Sequence, residues 1–241
     1  MTQLTFSDDR TTEKPRSTIK MKKQILLLML TVISITASSQ TSARFGVKAG
    51  LSSASMRGDA VNNLNNLLDF ADGMITTHNR TGFFVGGFAN LPVSNKISFE
   101  PGVYYSQKGY ELRGDLGLKG LEFLGANARS ILQADYIDMP VLLKADLGGL
   151  QIFAGPQFSY LTQAQLKTTA GVLGFSVFNN STDATSQFNR WDMGVIAGLG
   201  YQFPGGFNVS AAYDYGLSRV DANKNVNGYN NAIKIGIGFR F

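Results

Sequence analysis

Apolar and polar residues alternate with a period of two along most of the chain after residue 43, which is the side-chain period of a β-strand. The last eleven residues show it most plainly. Ile233, Ile235, Ile237, Phe239 and Phe241 share one face, while Lys234, Gly236, Gly238 and Arg240 share the other. Phe45, Val47, Ala49 and Leu51 likewise alternate with Arg44, Gly46, Lys48 and Gly50. Six further segments read the same way, near 82–91, 97–108, 134–146, 151–165, 190–203 and 207–218. The pattern predicts eight strands.

The connections between them alternate in length. Pro92–Lys96, Leu147–Leu150 and Pro204–Gly206 are short and carry Pro or Gly, which set the backbone angles of tight turns. Residues 52–81, 109–133, 166–189 and 219–229 are long. An even strand count with short turns at one end and long loops at the other describes an outer-membrane barrel. The expected fold is all-β: an eight-stranded antiparallel up-and-down transmembrane β-barrel with short periplasmic turns and long extracellular loops.

The alternation then has a physical cause. In lipid every backbone N–H and C=O must be paired, and a closed barrel leaves no edge. The outward face meets acyl chains and is apolar, whereas the inward face tolerates charge. On that face the pattern places Arg44, Lys48, Glu100, Lys108, Asp138, Lys144, Asp192, Asp214, Lys234 and Arg240, with glycines giving the large side chains room. Eight strands enclose a lumen about wide enough for side chains to fill, so these charges are expected to form a network that plugs it. A soluble lipocalin-like barrel has the opposite polarity, apolar inside and polar outside. Tyr104, Tyr105, Tyr136, Tyr160, Trp191, Tyr201, Phe203, Phe207, Tyr213, Tyr215, Phe239 and Phe241 fall near strand ends or on apolar faces, as expected of two aromatic girdles.

The first forty residues follow a different pattern. Met21-Lys22-Lys23 precedes an uncharged apolar run, Ile25–Thr36, and then small residues up to Thr41. This is the pattern of a secretory signal peptide over 21–40, cleaved near Ser39 to Thr41. Its apolar run is too short for a spanning helix. Residues 1–20 are polar and without period, and read as a non-native extension ahead of the start at Met21. The barrel domain is then 41–241. This division changes the charge balance. The whole chain of 241 residues is +5 and hints at nucleic acid. Residues 1–40 hold six of the 22 basic and three of the 17 acidic residues, leaving 16 and 14, a net +2. The basic excess belongs largely to the targeting segment, and no nucleic-acid partner is expected.

Three stretches resemble the PorT-type outer-membrane β-barrel family of Bacteroidetes: Gly82–Phe88 running on through Leu91–Lys96, then Glu100–Gly109 with its Tyr-Ser-Gln-Lys-Gly run, then Tyr136–Lys144. Ala154-Gly155-Pro156 and Tyr213–Leu217 continue the similarity, which covers about 43–241. The resemblance implies an eight-stranded barrel delivered through the Sec pathway and periplasm to the bacterial outer membrane. The family's namesake is associated with type IX secretion and gliding. Phe241, with Phe239, looks like the C-terminal aromatic signal read by the barrel assembly machinery.

Candidate chemistry is sparse. Without Cys and with His78 alone, disulfides, thiolate sites and multi-histidine metal sites are excluded. No cofactor is expected. No Gly-x-Ser-x-Gly elbow, Walker loop or His-Glu-x-x-His occurs. His78, placed at the end of the first long loop, reads as a solvated loop residue or, alternatively, as a general base. Val61, Leu64, Leu68 and Ala71 suggest a short amphipathic helix within 59–72, and Leu116, Leu118, Leu121, Phe123 and Leu124 an apolar segment of the second loop. Each reads as a cover for the barrel mouth or as a partner-binding element, and strands projecting beyond the membrane are a further option for the second. The expected function is non-enzymatic: a structural or interaction component of the envelope, secretion-accessory or adhesive, embedded in outer-membrane lipid and meeting an envelope partner through its long loops. The alternative is a small-solute porin or a lipid-modifying enzyme.

Overall fold

The computed structural model describes residues 43–58, 75–115, 127–172, 175–222 and 227–241. The signal segment, the helix expected within 59–72 and the leucine-rich stretch 116–124 lie outside these residues. Among the described residues there are nine strands: β1 (Arg44–Arg57), β2 (Ile75–Pro92), β3 (Ile97–Asp115), β4 (Asn127–Leu147), β5 (Leu150–Val172), β6 (Phe175–Asp183), β7 (Trp191–Gln202), β8 (Phe207–Gly216) and β9 (Tyr229–Arg240). Eight of them close a barrel. Each is antiparallel to its neighbours, β7 pairs with β5, and β9 returns to β1 with Gly46 opposite Arg240 and Arg57 opposite Tyr229. The ninth, β6, pairs with the upper part of β5 alone.

The polarity of the wall is inverted relative to a soluble protein. Lys48 is 8% exposed, while its neighbour Val47 is 54% exposed. The same alternation holds at Asp214 against Tyr213 and at Lys234 against Ile233 and Ile235. On β7, Trp191 and Tyr201 are ten positions apart on the outer face. That is ~33 Å along the strand and about 25 Å at a barrel tilt, the height of the apolar band of an outer-membrane barrel. Tyr201, Phe203 and Phe207 stack in series at the lower end, with centroids 4.9 and 5.7 Å apart. Tyr160 meets Trp191 at the upper end, at 5.1 Å. Two of the aromatics expected in the girdles are inside instead. Tyr104 and Tyr136 are buried in the lumen, at 8% and 1% exposure.

The loops of the long-loop end are shorter than the sequence suggests, because the strands run on into them. The strands β3, β4 and β5 have 19, 21 and 23 residues, against 12, 10 and 12 for β7, β8 and β9. A spanning strand needs only ~10, so the wall from β2 to β5, extended by β6, stands well above the rest. Much of 109–133 and 166–189, expected as loop, is this projecting sheet. His78 is likewise on a strand, in β2, with Glu111 of β3 as its Cα partner.

The short-turn end is tight. Between β4 and β5, Gly148 and Gly149 take φ of +78° and +99°, and Asp146 Oδ1 accepts from both of their amides at 3.1 and 3.0 Å. A side chain at such a φ costs roughly 1–2 kcal/mol. Gly149→Ala is therefore expected to lower the urea unfolding midpoint by a corresponding amount, measured by the shift between folded and unfolded bands on unheated gels.

Candidate functional site

The lumen is the first candidate site. The sequence brings large rings and glycines into register across it. An added Cβ at Gly198 would sit 2.6 Å from Phe153 Cζ, and one at Gly86 would sit 2.7 Å from Tyr104 Cδ1. The rings therefore lie flat on neighbouring strands, in space that only glycine leaves. Phe84, Phe88 and Tyr104 form one buried cluster, and Leu142, Phe153 and Ile196 another.

Cations lie over these rings. Lys48 Nζ is 5.3 Å from the Phe88 centroid, and Lys108 Nζ is 4.9 Å from that of Tyr136, close enough for cation–π attraction. The charges form two groups. Toward the short-turn end, Lys144 Nζ reaches Glu100 Oε2 at 2.8 Å, and Lys48 Nζ stands 3.8 Å from Oε1. At mid-height, Lys108, Asp138, Lys234 and Asp214 make a ring of alternating charge. Lys108 reaches Asp138 at 3.0 Å and Asp214 at 3.5 Å; Lys234 reaches the same two at 2.8 and 3.0 Å. The lone pairs left over are used by neutral donors. Ser159 Oγ donates to Asp138 at 2.6 Å, and Gln157 Nε2 to both oxygens of Asp214 at 2.9 and 2.7 Å. Above the ring Asn230 Nδ2 donates to Asp192 at 2.8 Å and to the Tyr136 hydroxyl at 3.2 Å.

Of the ten inward charges expected, eight are buried together: Lys48, Lys108, Lys144 and Lys234 with Glu100, Asp138, Asp192 and Asp214. The other two are not in the network. Arg44 is exposed and Arg240 half-buried, because both stand at the first and last positions of the closing strands, where the wall ends. Phe239 and Phe241 are on the outer face at that end, 46% and 70% exposed. Beside the ring, lined by Lys108, Asp192, Asp214 and Asn230, is a cavity of about 10 Å³, the space of roughly one water.

Part of the mouth is covered by a segment the sequence did not announce. The chain after β6 makes a 3₁₀ turn at Thr185–Gln187 and pairs with the chain after β8. Asn189 N donates to Val220 O at 2.8 Å and Ala222 N to Gln187 O at 3.1 Å. Phe188 is packed on the buried Ala134, Tyr136, Leu161 and Ala164. Val220 is also buried. These residues have no alternating pattern, so only the pairing shows them as a cap.

The second candidate site is the projecting sheet. The expected partner surface of loops is here a strand surface. On its outer side Arg129 donates to Glu111 through Nε and Nη2, with Nη2 to Oε2 at 2.8 Å. That carboxylate raises the guanidinium further above its usual range. Among the described residues no group of three or more His, Asp or Glu side chains is gathered as a metal site.

No curated protein matches the sequence. Among solved structures, the chain is similar to Neisserial surface protein A, at 15% identity over 83% of this chain and 100% of that one, with a TM-score of 0.44. It is similar to Ail, the attachment invasion locus protein of Yersinia pestis, at 14% over 83% and 100%, with a TM-score of 0.40. It is also similar to OprG from Pseudomonas aeruginosa, at 13% over 83% and 96%, with a TM-score of 0.36. None of these likenesses bears on what the chain binds. The polarity-inverted wall, its girdles and its closed pairing are those of a protein of the bacterial outer membrane, and a family model described as the outer membrane protein beta-barrel domain matches residues 37–222. The chain belongs to that family.

Proposed function

We propose that this protein is a non-enzymatic, non-conducting barrel that serves as an interaction component of the cell envelope, with the projecting sheet from β2 to β6 as its working surface. The observation that carries the reading is the contrast between the two ends of one wall. Within the membrane the lumen is filled by paired charges and rings. Beyond it, strands of up to 23 residues continue the wall as an exposed surface that carries Arg129 and Lys167 beside Leu166 and Phe178. A lipid-modifying enzyme would need a reactive centre; the charged groups of the mid-height ring are instead tied to one another and to Ser159 and Gln157. A porin would need a continuous polar path through the ring.

The narrower readings belong to the same proposal. The segment 21–40 serves as a Sec signal peptide, and Phe239 and Phe241 serve as the signal for the barrel assembly machinery. A secretion-accessory role and an adhesive one both fit such a surface. The test is planar-bilayer recording of the refolded protein together with crosslinking in the native outer membrane. Silent bilayers and reproducible crosslinks from the projecting sheet to an envelope protein are expected. Protein-dependent opening of defined conductance, or crosslinks to lipid alone, would overturn the reading.

A further inference from the structure

A recess of about 340 Å³ opens on the projecting sheet, lined among others by Asn79, Arg80, Glu111, Arg129, Gln133 and Lys167. Its place on the wall decides what can reach it. On β4, Leu132, Ala134 and Tyr136 point into the barrel, whereas Val141 and Leu143 are exposed to the lipid side. Arg129, Ile131 and Gln133 share the parity of Val141 and Leu143, so they face outward. Glu111 and Lys167 are the Cα partners of Ile131 on the two adjoining strands and face the same way. The recess thus continues the lipid-facing surface upward.

It begins just above that surface. On this side the apolar band ends at Phe83 and Tyr105, whose rings are 5.6 Å apart. Arg80 stands three positions further along β2, roughly 10 Å at the rise of a strand. The side chain is brought there by two irregularities. The register of β2 on β3 shifts between Asn79 and Phe84, and Gly109 takes φ of +130°. An added Cβ at Gly109 would sit 3.4 Å from Arg80 Cδ, so the arginine stem crosses the bulge, and Nη1 donates to Lys108 O at 3.0 Å. From the other wall Lys167 Nζ donates to Gln133 Oε1 at 3.3 Å. Arg129 is neutralised by Glu111, and Asp135 stands nearby, hydrogen-bonded to Gln133. Three cations against two carboxylates leave one net positive charge; Arg80 and Lys167 hydrogen-bond neutral oxygens, and Asp135 and Glu111 lie within electrostatic reach of Arg80 without cancelling the excess.

The geometry points to a site for the phosphate of an outer-leaflet lipid headgroup, held between Arg80 and Lys167 while its acyl chains lie on the apolar band below. The charge is complementary, the recess is on the lipid side, and it sits at headgroup height. An arginine and a lysine supply directional and mobile donors to the same oxygens.

The test is native mass spectrometry of the full chain in detergent micelles, titrated with diphosphoryl lipid A and with its dephosphorylated form. The phosphorylated lipid is expected to bind at least about tenfold more tightly, a loss of charged hydrogen bonds of the usual size. Arg80→Gln combined with Lys167→Gln should remove that preference, whereas Arg44→Gln at the opposite rim should leave it intact. Millimolar inorganic phosphate should not displace the lipid. Equal binding of the two lipids, or an unchanged preference in the double variant, would overturn the proposal. Displacement by free phosphate would overturn the lipid as its source. Should the double variant not reach the folded band on unheated gels, the lipid pair and the phosphate competition on the unaltered protein decide alone.

Discussion

Asp138→Ala is expected to destabilise the barrel by about 3–5 kcal/mol, the cost of breaking a buried ion pair from one side. The carboxylate faces two ammonium groups, Lys108 at 3.0 Å and Lys234 at 2.8 Å, and is fully buried. Its removal leaves both cations to Asp214, which already accepts from Gln157. The measurement is equilibrium unfolding by urea in lipid vesicles. A companion change gives the reading a sign. Adding Lys234→Met to Asp138→Ala restores the balance of one cation to one carboxylate in the ring, and part of the lost stability should return. A loss below about 1 kcal/mol, the worth of an exposed pair, would mean that the ring is hydrated and the lumen open.

Ile235→Arg provides the second large effect, from the other face of the wall. Ile235 is 64% exposed, halfway along β9. On a water-soluble barrel an arginine at such a position would change stability by no more than about 0.5 kcal/mol. At the middle of a bilayer it costs about 2–4 kcal/mol. The same variant compared in vesicles and in a detergent micelle separates the two, since the penalty follows the depth of the hydrocarbon. Ser181→Arg, exposed on β6 beyond the apolar band, should cost little in either.

What could be read from the sequence was whatever stays in phase. Along β1, β7, β8 and β9 no bulge interrupts the alternation, and Lys48, Asp192, Asp214 and Lys234 were assigned inward by counting alone. The count fails where the backbone gains a residue. The extra residue that β2 gains on β3 between Asn79 and Phe84, and the one that β5 gains at Thr162 opposite Asp135 and Tyr136, exchange inside for outside on those two strands, while β3 and β4 stay in phase. No residue type at those positions announces the change. The projecting strands, which the sequence offers only as one option for the second loop, are hard to read for a related reason. Above the lipid their outer positions, such as Glu111, Gln133 and Lys167, are polar, so alternation of polarity vanishes although the strand continues. Tyr104 and Tyr136 were placed in the girdles because an aromatic in a strand suits either face. Only the register, which sets Gly86 against Tyr104, shows that a ring fits inside. Arg44 and Arg240 have the right parity but stand where the wall has already ended.

The pairing of β1 with β9 constrains the order in which this molecule is made. Gly46 and Arg240 are the paired residues furthest apart in the sequence of the wall, so the barrel stays open until the two ends of its sheet meet. Until then β1 and the newest strand each present a row of unpaired amides and carbonyls, and the apolar flank bearing Leu51 and Val47 has no lipid to meet. Such an open edge recruits other chains, and contacts so far apart in sequence form slowly. Burial of those edges therefore waits on the pairing of β9 with β1. Its final dozen residues, far from being an appendix to the sheet, decide whether a barrel or an aggregate results.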